Sequence, residues 1–167
     1  DKRFGDVLET VKLGRNLIHL PVVDSTNDHA SCLIDNRDIP HGTLIMADRQ
    51  TGGRGRFNRD WISPPGGLWF SLVMVTGLSQ KKIPLVTLMA AYAAAAALID
   101  DHGIDAVIKW PNDLYWKDSK FGGILSEGKH LKGRSFIILG MGLNIDVDRR
   151  YLDSLNNKAV SIQEFTE

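Results

Sequence analysis

A chain of 167 residues corresponds to about one domain and is long enough to bury a core. Apolar residues make up 43% and charged residues 24%, which excludes disordered, collagenous and coiled-coil classes. Lys plus Arg and Asp plus Glu each number 20, so there is no net basic field to hold nucleic acid nonspecifically, and any bound anion must be gripped locally.

In chain order, residues 17–23 (LIHLPVV) form a β-favouring run. The Asp24-Ser25-Thr26-Asn27 sequence behind it has the chemistry of a helix N-terminus leading into residues 28–34. That places Ser25 to Asn27 at a strand-to-helix corner. The helix carries the single cysteine, Cys32, which rules out an internal disulfide framework and a Cys-rich zinc site and points to a reducing, cytoplasmic compartment. Asp38, Pro40 and Gly42 mark a turn before a strand over 43–47. Residues 50–60 are rich in glycine and arginine with no periodicity, as a functional loop would be. A Pro-Pro-Gly-Gly turn precedes a strand over 68–75. Pro84 suits the first turn of an Ala-rich helix that Gly103 ends. The run 83–99 is too short and weakly hydrophobic for a membrane span and reads as a buried helix.

Short apolar runs at 107–110, 114–116, 121–126 and 135–143 follow, broken at 111–112, 118–119 and 128–133, and read as hairpins. Early helices and late clustered strands predict an α+β fold: a mixed, largely antiparallel sheet with helices on one face, not a doubly wound sheet. The chain begins at Asp1 without a methionine and without a secretory signal, so its ends are expected not to be the native ones.

Two constellations carry candidate chemistry. In the loop, Arg54, Arg56 and Arg59 alternate with Gly52, Gly53 and Gly55. Glycines let backbone amides approach an anion while guanidinium forks match carboxylate or phosphate. The pattern fits an anion pocket or a solvated hairpin tip. Trp61 at its exit suits either stacking on a purine or anchoring the loop. The second is Lys109-Trp-Pro-Asn-Asp113 followed by Lys120-Phe-Gly122-Gly123, which can bring two cations and a carboxylate to one point, unless Pro111 to Asp113 is only a turn.

Two nucleotide motifs fail. Residues 123–129 have P-loop spacing, but His130 stands where Ser or Thr is needed and the segment reads as a hairpin turn; Gly140-Met-Gly142 lacks the third glycine of a dinucleotide fingerprint. Asn144 is either a turn residue or a group reading a base edge. The histidines at 19, 29, 41, 102 and 130 have no paired metal-ligand spacing.

Taken together, Ser25-Thr-Asn27, Gln50, Gly53-Arg-Gly-Arg56, Arg59-Asp-Trp61, Lys109-Trp-Pro-Asn-Asp113, Lys120 and Gly140-Met-Gly-Leu-Asn144 resemble, in order and spacing, the catalytic domain of biotin-protein ligases. The resemblance covers residues 17–146. It implies the biotin/lipoate ligase fold, similar to class II aminoacyl-tRNA synthetases. It also implies formation of biotinyl-5′-AMP from biotin and MgATP, then transfer of biotin to a lysine of a biotin carboxyl carrier protein domain. Biotin and ATP are then substrates, with Mg²⁺ and no tightly bound prosthetic group.

By the same resemblance, Ser25, Thr26, Asn27 and Gln50 border the ureido ring, and Gly53, Gly55, Gly122 and Gly123 let backbone approach the ligand. Arg54 and Arg56 grip its carboxylate and phosphate side. Lys120 bridges the carboxyl oxygen and the α-phosphate. Arg59 faces the triphosphate, Trp61 and Asn144 meet the adenine, Lys109 lies on the phosphates, and Asp113 orients the acceptor lysine. No metal is expected to be ligated directly by protein. The loop 52–58 is expected to close over the adenylate. Asn58 replaces a usual glycine of the pattern.

The expected organisation is one catalytic domain over 1–167, short of the further helix and small β-barrel-like domain usual in the family, and with no winged helix before Phe4. Neither repressor function, DNA nor membrane binding is expected, whereas pairing of two copies through a sheet edge is a family habit. A module that holds biotin without turnover is the alternative.

Overall fold

A computed structural model describes residues 8–155 and 158–166; the stretch where a winged helix was not expected lies outside the described residues. The first element among the described residues is β1 (Asn16–Val23), after which the chain turns at Asp24 and enters α1 (Thr26–Asn36). Ser25 is extended and its hydroxyl accepts from the Asp28 amide at 3.4 Å, as expected of an N-cap. β2 (Thr43–Gln50), the loop, β3 (Gly67–Thr76) and the 20-residue α2 (Ile83–His102) follow, with Gly103 capping α2. The second half is β4 (Val107–Lys109), β5 (Asp113–Trp116), β6 (Ser119–Leu131), β7 (Arg134–Asn144) and a short α3 (Arg149–Asp153).

The strands form one seven-stranded sheet in the order β1-β2-β3-β7-β6-β5-β4. Among the seven described strands only β1 and β2 run parallel, so the mixed, largely antiparallel sheet read from the sequence is present. The helices, expected on one face, divide between both. Ala30, Leu33 and Ile34 of α1 pack with Ile45, Val73, Phe136 and Ile138. Ala91 and Ala95 of α2 pack with Ile124, Leu139 and Leu143 on the opposite face, because successive strand side chains alternate. The cause is connectivity: α1 is the crossover of the parallel β1–β2 pair, which its handedness sends to one face. The connection from β3 to the far edge strand β4 crosses the other.

α2 also departs from the buried helix expected. Only Thr87, Ala91 and Ala95 are buried, while Leu85, Leu88, Met89, Tyr92 and Ile99 face outward. By length and composition the segment Gln80–His102 qualifies to cross a membrane; in this fold its alanine stripe lies on the sheet. A third correction concerns 128–133, expected as a turn. β6 continues through Gly128, Lys129 and His130, and only Lys132 and Gly133 turn the chain. The polar residues there are satisfied across the sheet, for example Lys129 by Ser31 and Asp35 of α1.

A strap over residues 158–166 packs against the start of β6. Lys120 donates its amide to the Lys158 carbonyl at 2.9 Å and accepts from the Val160 amide at 3.0 Å. A 3-10 helix (Ile162–Phe165) then stacks Phe165 on Trp116 at 4.5 Å. The start of β6 is therefore held by β5 on one side and this strap on the other.

Candidate active site

Cross-strand register builds the floor of the site. Ser71, Gly140 and Leu125 form one row across β3, β7 and β6; Trp69, Gly142, Gly123, Asp113 and Lys109 form the next, extended to β5 and β4. The glycines of these rows leave room for side chains arriving from above. A Cβ on Gly140 would fall 2.4 Å from Asn27 Oδ1, and one on Gly142 2.5 Å from Trp61 Nε1. Trp61 thus lies on a glycine surface, edge-on to Trp69 at 6.5 Å. Its Nε1 is a buried donor without a partner among the described residues.

Above the floor is a cavity of about 470 Å³. It is lined by Ser25, Thr26, Asn27, Gln50, Arg54, Gly55, Arg56, Arg59, Trp61, Lys109, Asp113, Lys120, Gly123 and Asn144, together with Val147, Tyr151, Leu152, Leu155 and Ala159. Two residues assigned to it by resemblance are elsewhere. Gly122 lies on the opposite face, where a Cβ would meet Leu143 at 2.5 Å and Leu114 at 3.3 Å. Gly53 sits behind the lining, 2.4 Å from the Trp61 carbonyl by the same measure, and shapes the loop from outside the cavity.

The inner end is a chain of hydrogen bonds with a fixed direction. Ser63 donates to the Trp61 carbonyl and accepts from Gln50 Nε2 at 2.7 Å. Gln50 Oε1 then accepts from the Thr26 amide at 2.8 Å and the Thr26 hydroxyl at 3.1 Å. Ser71 Oγ lies 2.7 Å from Thr26 Oγ1 and 2.6 Å from Asn27 Oδ1. A hydroxyl carries one proton, so Ser71 satisfies only one of these two acceptors. The inner end thus gathers the acceptor oxygens of Gln50, Thr26 and Asn27.

The Asn27 amide nitrogen donates to Glu127 Oε2 at 2.6 Å, which fixes the amide with its oxygen toward Ser71. Arg54, assigned by resemblance to the ligand's carboxylate, instead spans Asp28 and Glu127. Its guanidinium is held above the ordinary arginine range, first by the hydrogen bond to Asp28 and further by the Glu127 charge, against burial. Asp28, Ser63, Ser71 and Glu127 were not singled out from sequence. Glu127 had a signal: it is four residues from Gly123 along one strand and so shares its face.

The outer end is cationic. Arg56, Arg59, Lys109 and Lys120 outnumber Asp60 and Asp113 there. Lys120 Nζ is 2.7 Å from Asp113 and 4.9 Å from the Trp61 ring centre. Arg56 donates to Asn112 Oδ1 at 3.3 Å, and Asn112 donates in turn to the Ile124 carbonyl at 2.9 Å. The turn 110–112 thus aims Arg56, a role sequence did not indicate. Beyond Trp61 lies an apolar shelf of Val147, Leu152, Leu155 and Ala159. Buried Asn144 is no turn residue: its nitrogen donates to the Val160 carbonyl at 3.2 Å, leaving its oxygen as an acceptor. A hydrogen-bonding end without a free cation, a cationic centre and an apolar shelf with one acceptor suit a molecule activated at a carboxylate by a nucleotide. Among the described residues no group of three or more His, Cys, Asp or Glu side chains is placed to hold a metal ion.

Residues 19–144 match the model of the biotin/lipoate A/B protein ligase family. The chain is 38% identical over 165 residues to the bifunctional ligase/repressor BirA of Bacillus subtilis, covering 97% of this chain and 50% of that protein. It is 36% identical over 148 residues to biotin–protein ligase 2 of Arabidopsis thaliana, covering 86% of this chain and 44% of that one. The fold matches the biotin protein ligase of Aquifex aeolicus in complex with biotin and ATP (TM-score 0.68, 32% identity, 91% of this chain and 61% of that one). It also matches the Leishmania major enzyme in complex with biotinyl-5-AMP (TM-score 0.71, 26% identity, 90% and 64%). The chain spans about half the length of these curated relatives. With the family model matching most of its length and its fold shared with solved biotin protein ligases, the chain belongs to the biotin/lipoate A/B protein ligase family.

Proposed function

We propose that the protein activates biotin with MgATP to biotinyl-5′-AMP and passes the biotinyl group to a lysine of a biotin carboxyl carrier protein domain. The observation that carries this reading is one continuous cavity whose acceptor-lined inner end and cationic end are joined by a glycine floor under Trp61. The ureido ring of biotin offers N–H donors to the inner end, and its carboxylate, at the end of the tail, reaches Lys120 and Arg56. Solved relatives that hold biotin with ATP, and biotinyl-5-AMP, support the same reading.

In the first step a carboxylate oxygen attacks the α-phosphorus, a C(O)–O–P bond forms, and the bond to pyrophosphate breaks. Two anions must approach, so the step needs cations already in place. Lys120, anchored by the strap and by Asp113, is set between them, and Arg56 and Arg59 face the phosphates. Mg²⁺ comes with ATP as part of the substrate, held by phosphate oxygens and water. The adenine lies on the apolar shelf, its amino group donating to Asn144 Oδ1. In the second step Asp113 receives and orients the acceptor ammonium, which loses a proton to water; the free amine attacks the acyl carbon, and AMP leaves as the second proton departs. The loop tip closes over the mixed anhydride and keeps water out. The single cysteine supports a reducing, cytoplasmic setting for the reaction, and pairing of two copies through a sheet edge belongs to the same proposal.

Incubating the protein with biotin, ATP and Mg²⁺ and analysing it by mass spectrometry tests the proposal. A retained biotinyl-AMP with stoichiometric pyrophosphate is expected. Biotin bound with no adenylate would leave the alternative, a module that holds biotin without turnover.

A further inference from the structure

We propose that Arg54 is a positioning residue and not a ligand-gripping cation: clamped between Asp28 and Glu127, it fixes the inner end of the cavity, and Glu127 acts through Asn27 to set the amide that accepts from the ligand's ring. The inference rests on the reading of biotin as the ligand.

All three guanidinium nitrogens of Arg54 donate to carboxylates. Nε donates to Asp28 at 3.2 Å, and Nη1 and Nη2 each lie 3.2 Å from Glu127 Oε1. Two carboxylates against one guanidinium leave this end locally negative, so a ligand carboxylate is repelled from it and directed outward. Arg56, two residues on, is held among the described residues by the neutral amide of Asn112 and the face of Phe57, and keeps its charge for the ligand. The clamp also joins three segments: the loop, the first turn of α1 and the middle of β6.

Glu127 extends the clamp to the ring-reading group. Its Oε2 accepts from Asn27 Nδ2 at 2.6 Å, a charge-assisted bond that forbids the flipped amide. A flipped Asn27 would present N–H groups to ring N–H groups, where the inner end needs an acceptor. Glu127 therefore determines specificity for the ring without touching it.

Dissociation constants, read from tryptophan fluorescence, test this on three ligands: biotin, its alcohol analogue biotinol, which lacks the carboxylate, and a biotin methylated on its ureido nitrogens. Arg54→Gln and Glu127→Gln are each expected to weaken biotin about tenfold, the scale of one charge-assisted hydrogen bond. The biotin-to-biotinol ratio should stay within about twofold of wild type, while the preference for biotin over the methylated analogue shrinks about fivefold. A loss confined to biotin, with biotinol unchanged, would show that Arg54 grips the carboxylate and would overturn the inference. Equal weakening of all three ligands would also overturn it, as general damage. Wild-type protein that binds none of them would overturn the functional reading itself. Should Arg54→Gln fail to fold, Arg54→Lys carries the same comparison, since an ammonium cannot bridge both carboxylates as a fork does.

Discussion

Arg54 and Arg56 are two residues apart on one loop and sit in opposite surroundings. Arg54 faces two carboxylates and is bound on every nitrogen; Arg56 faces a neutral amide and an aromatic ring. The first arginine belongs to a rigid, hydrogen-bonded inner end and the second to a cationic outer end where charge is available for reaction. Identical side chains in one motif thus do different work, and the difference comes from the elements facing them: α1 and β6 in one case, the β4–β5 turn in the other.

That contrast predicts which variants separate binding from chemistry. Lys120→Gln has the largest expected effect, a fall of about 10³ in the rate of adenylate formation, because a preorganised charge at the reacting centre is removed. Its affinity for biotin should change far less, and equal losses in both would break the division between ends. Gly140→Ala strikes the inner end instead. The added Cβ displaces Asn27, and biotin affinity should fall about 10-fold to 100-fold for the loss of one or two buried hydrogen bonds, with the adenylation rate at saturating biotin preserved. Calorimetry and single-turnover kinetics separate the two.

Asp113→Asn sharpens the outer end further. It should slow transfer to the acceptor lysine about tenfold, because the acceptor ammonium loses its counter-charge, and slow adenylate formation less, about threefold, because Lys120 loses its ion pair but keeps its strap. Chemical quench of preformed adenylate with an acceptor domain reads this directly. The smallest effect lies outside both ends. Asp148 caps α3, and its bonds to the Arg150 side chain and amide hold its carboxyl below the usual range, at about 2. A group depressed in the folded state stabilises above its unfolded value of 3.8 and loses that contribution as pH falls toward about 2. Asp148→Asn should therefore differ from wild type slightly at neutral pH, and the difference should vanish in acid melts. The pair is exposed, so screening keeps the effect small.

Much of this arrangement was legible in the sequence. The Ser25 cap, the Gly-Arg loop, the β-hairpins and the Lys109 to Asp113 turn announce themselves through local chemistry, and the structure brings most of those residues to one cavity. What was not legible depends on the opposite side of the sheet. Gly122 and Gly123 are indistinguishable as a pair, yet alternation sends one into the Leu143 core and the other under Trp61. The stretch from Gly128 to Gly133 reads as a turn until α1 supplies partners for Lys129. α2 reads as buried because it is apolar all round, although only its smallest residues meet the sheet. Arg54 reads as a ligand arginine because nothing in its own segment reveals Asp28 and Glu127.

The central claim is that one cavity, with its hydrogen-bonding and cationic ends, joins biotin to a nucleotide. Exchange of labelled pyrophosphate into ATP tests it most directly, since exchange requires reversible formation of the adenylate. The account predicts exchange that depends on biotin, is not supported by biotinol, and is lost in Lys120→Gln. Tight biotin binding without exchange, or exchange that proceeds equally in the absence of biotin, would contradict it.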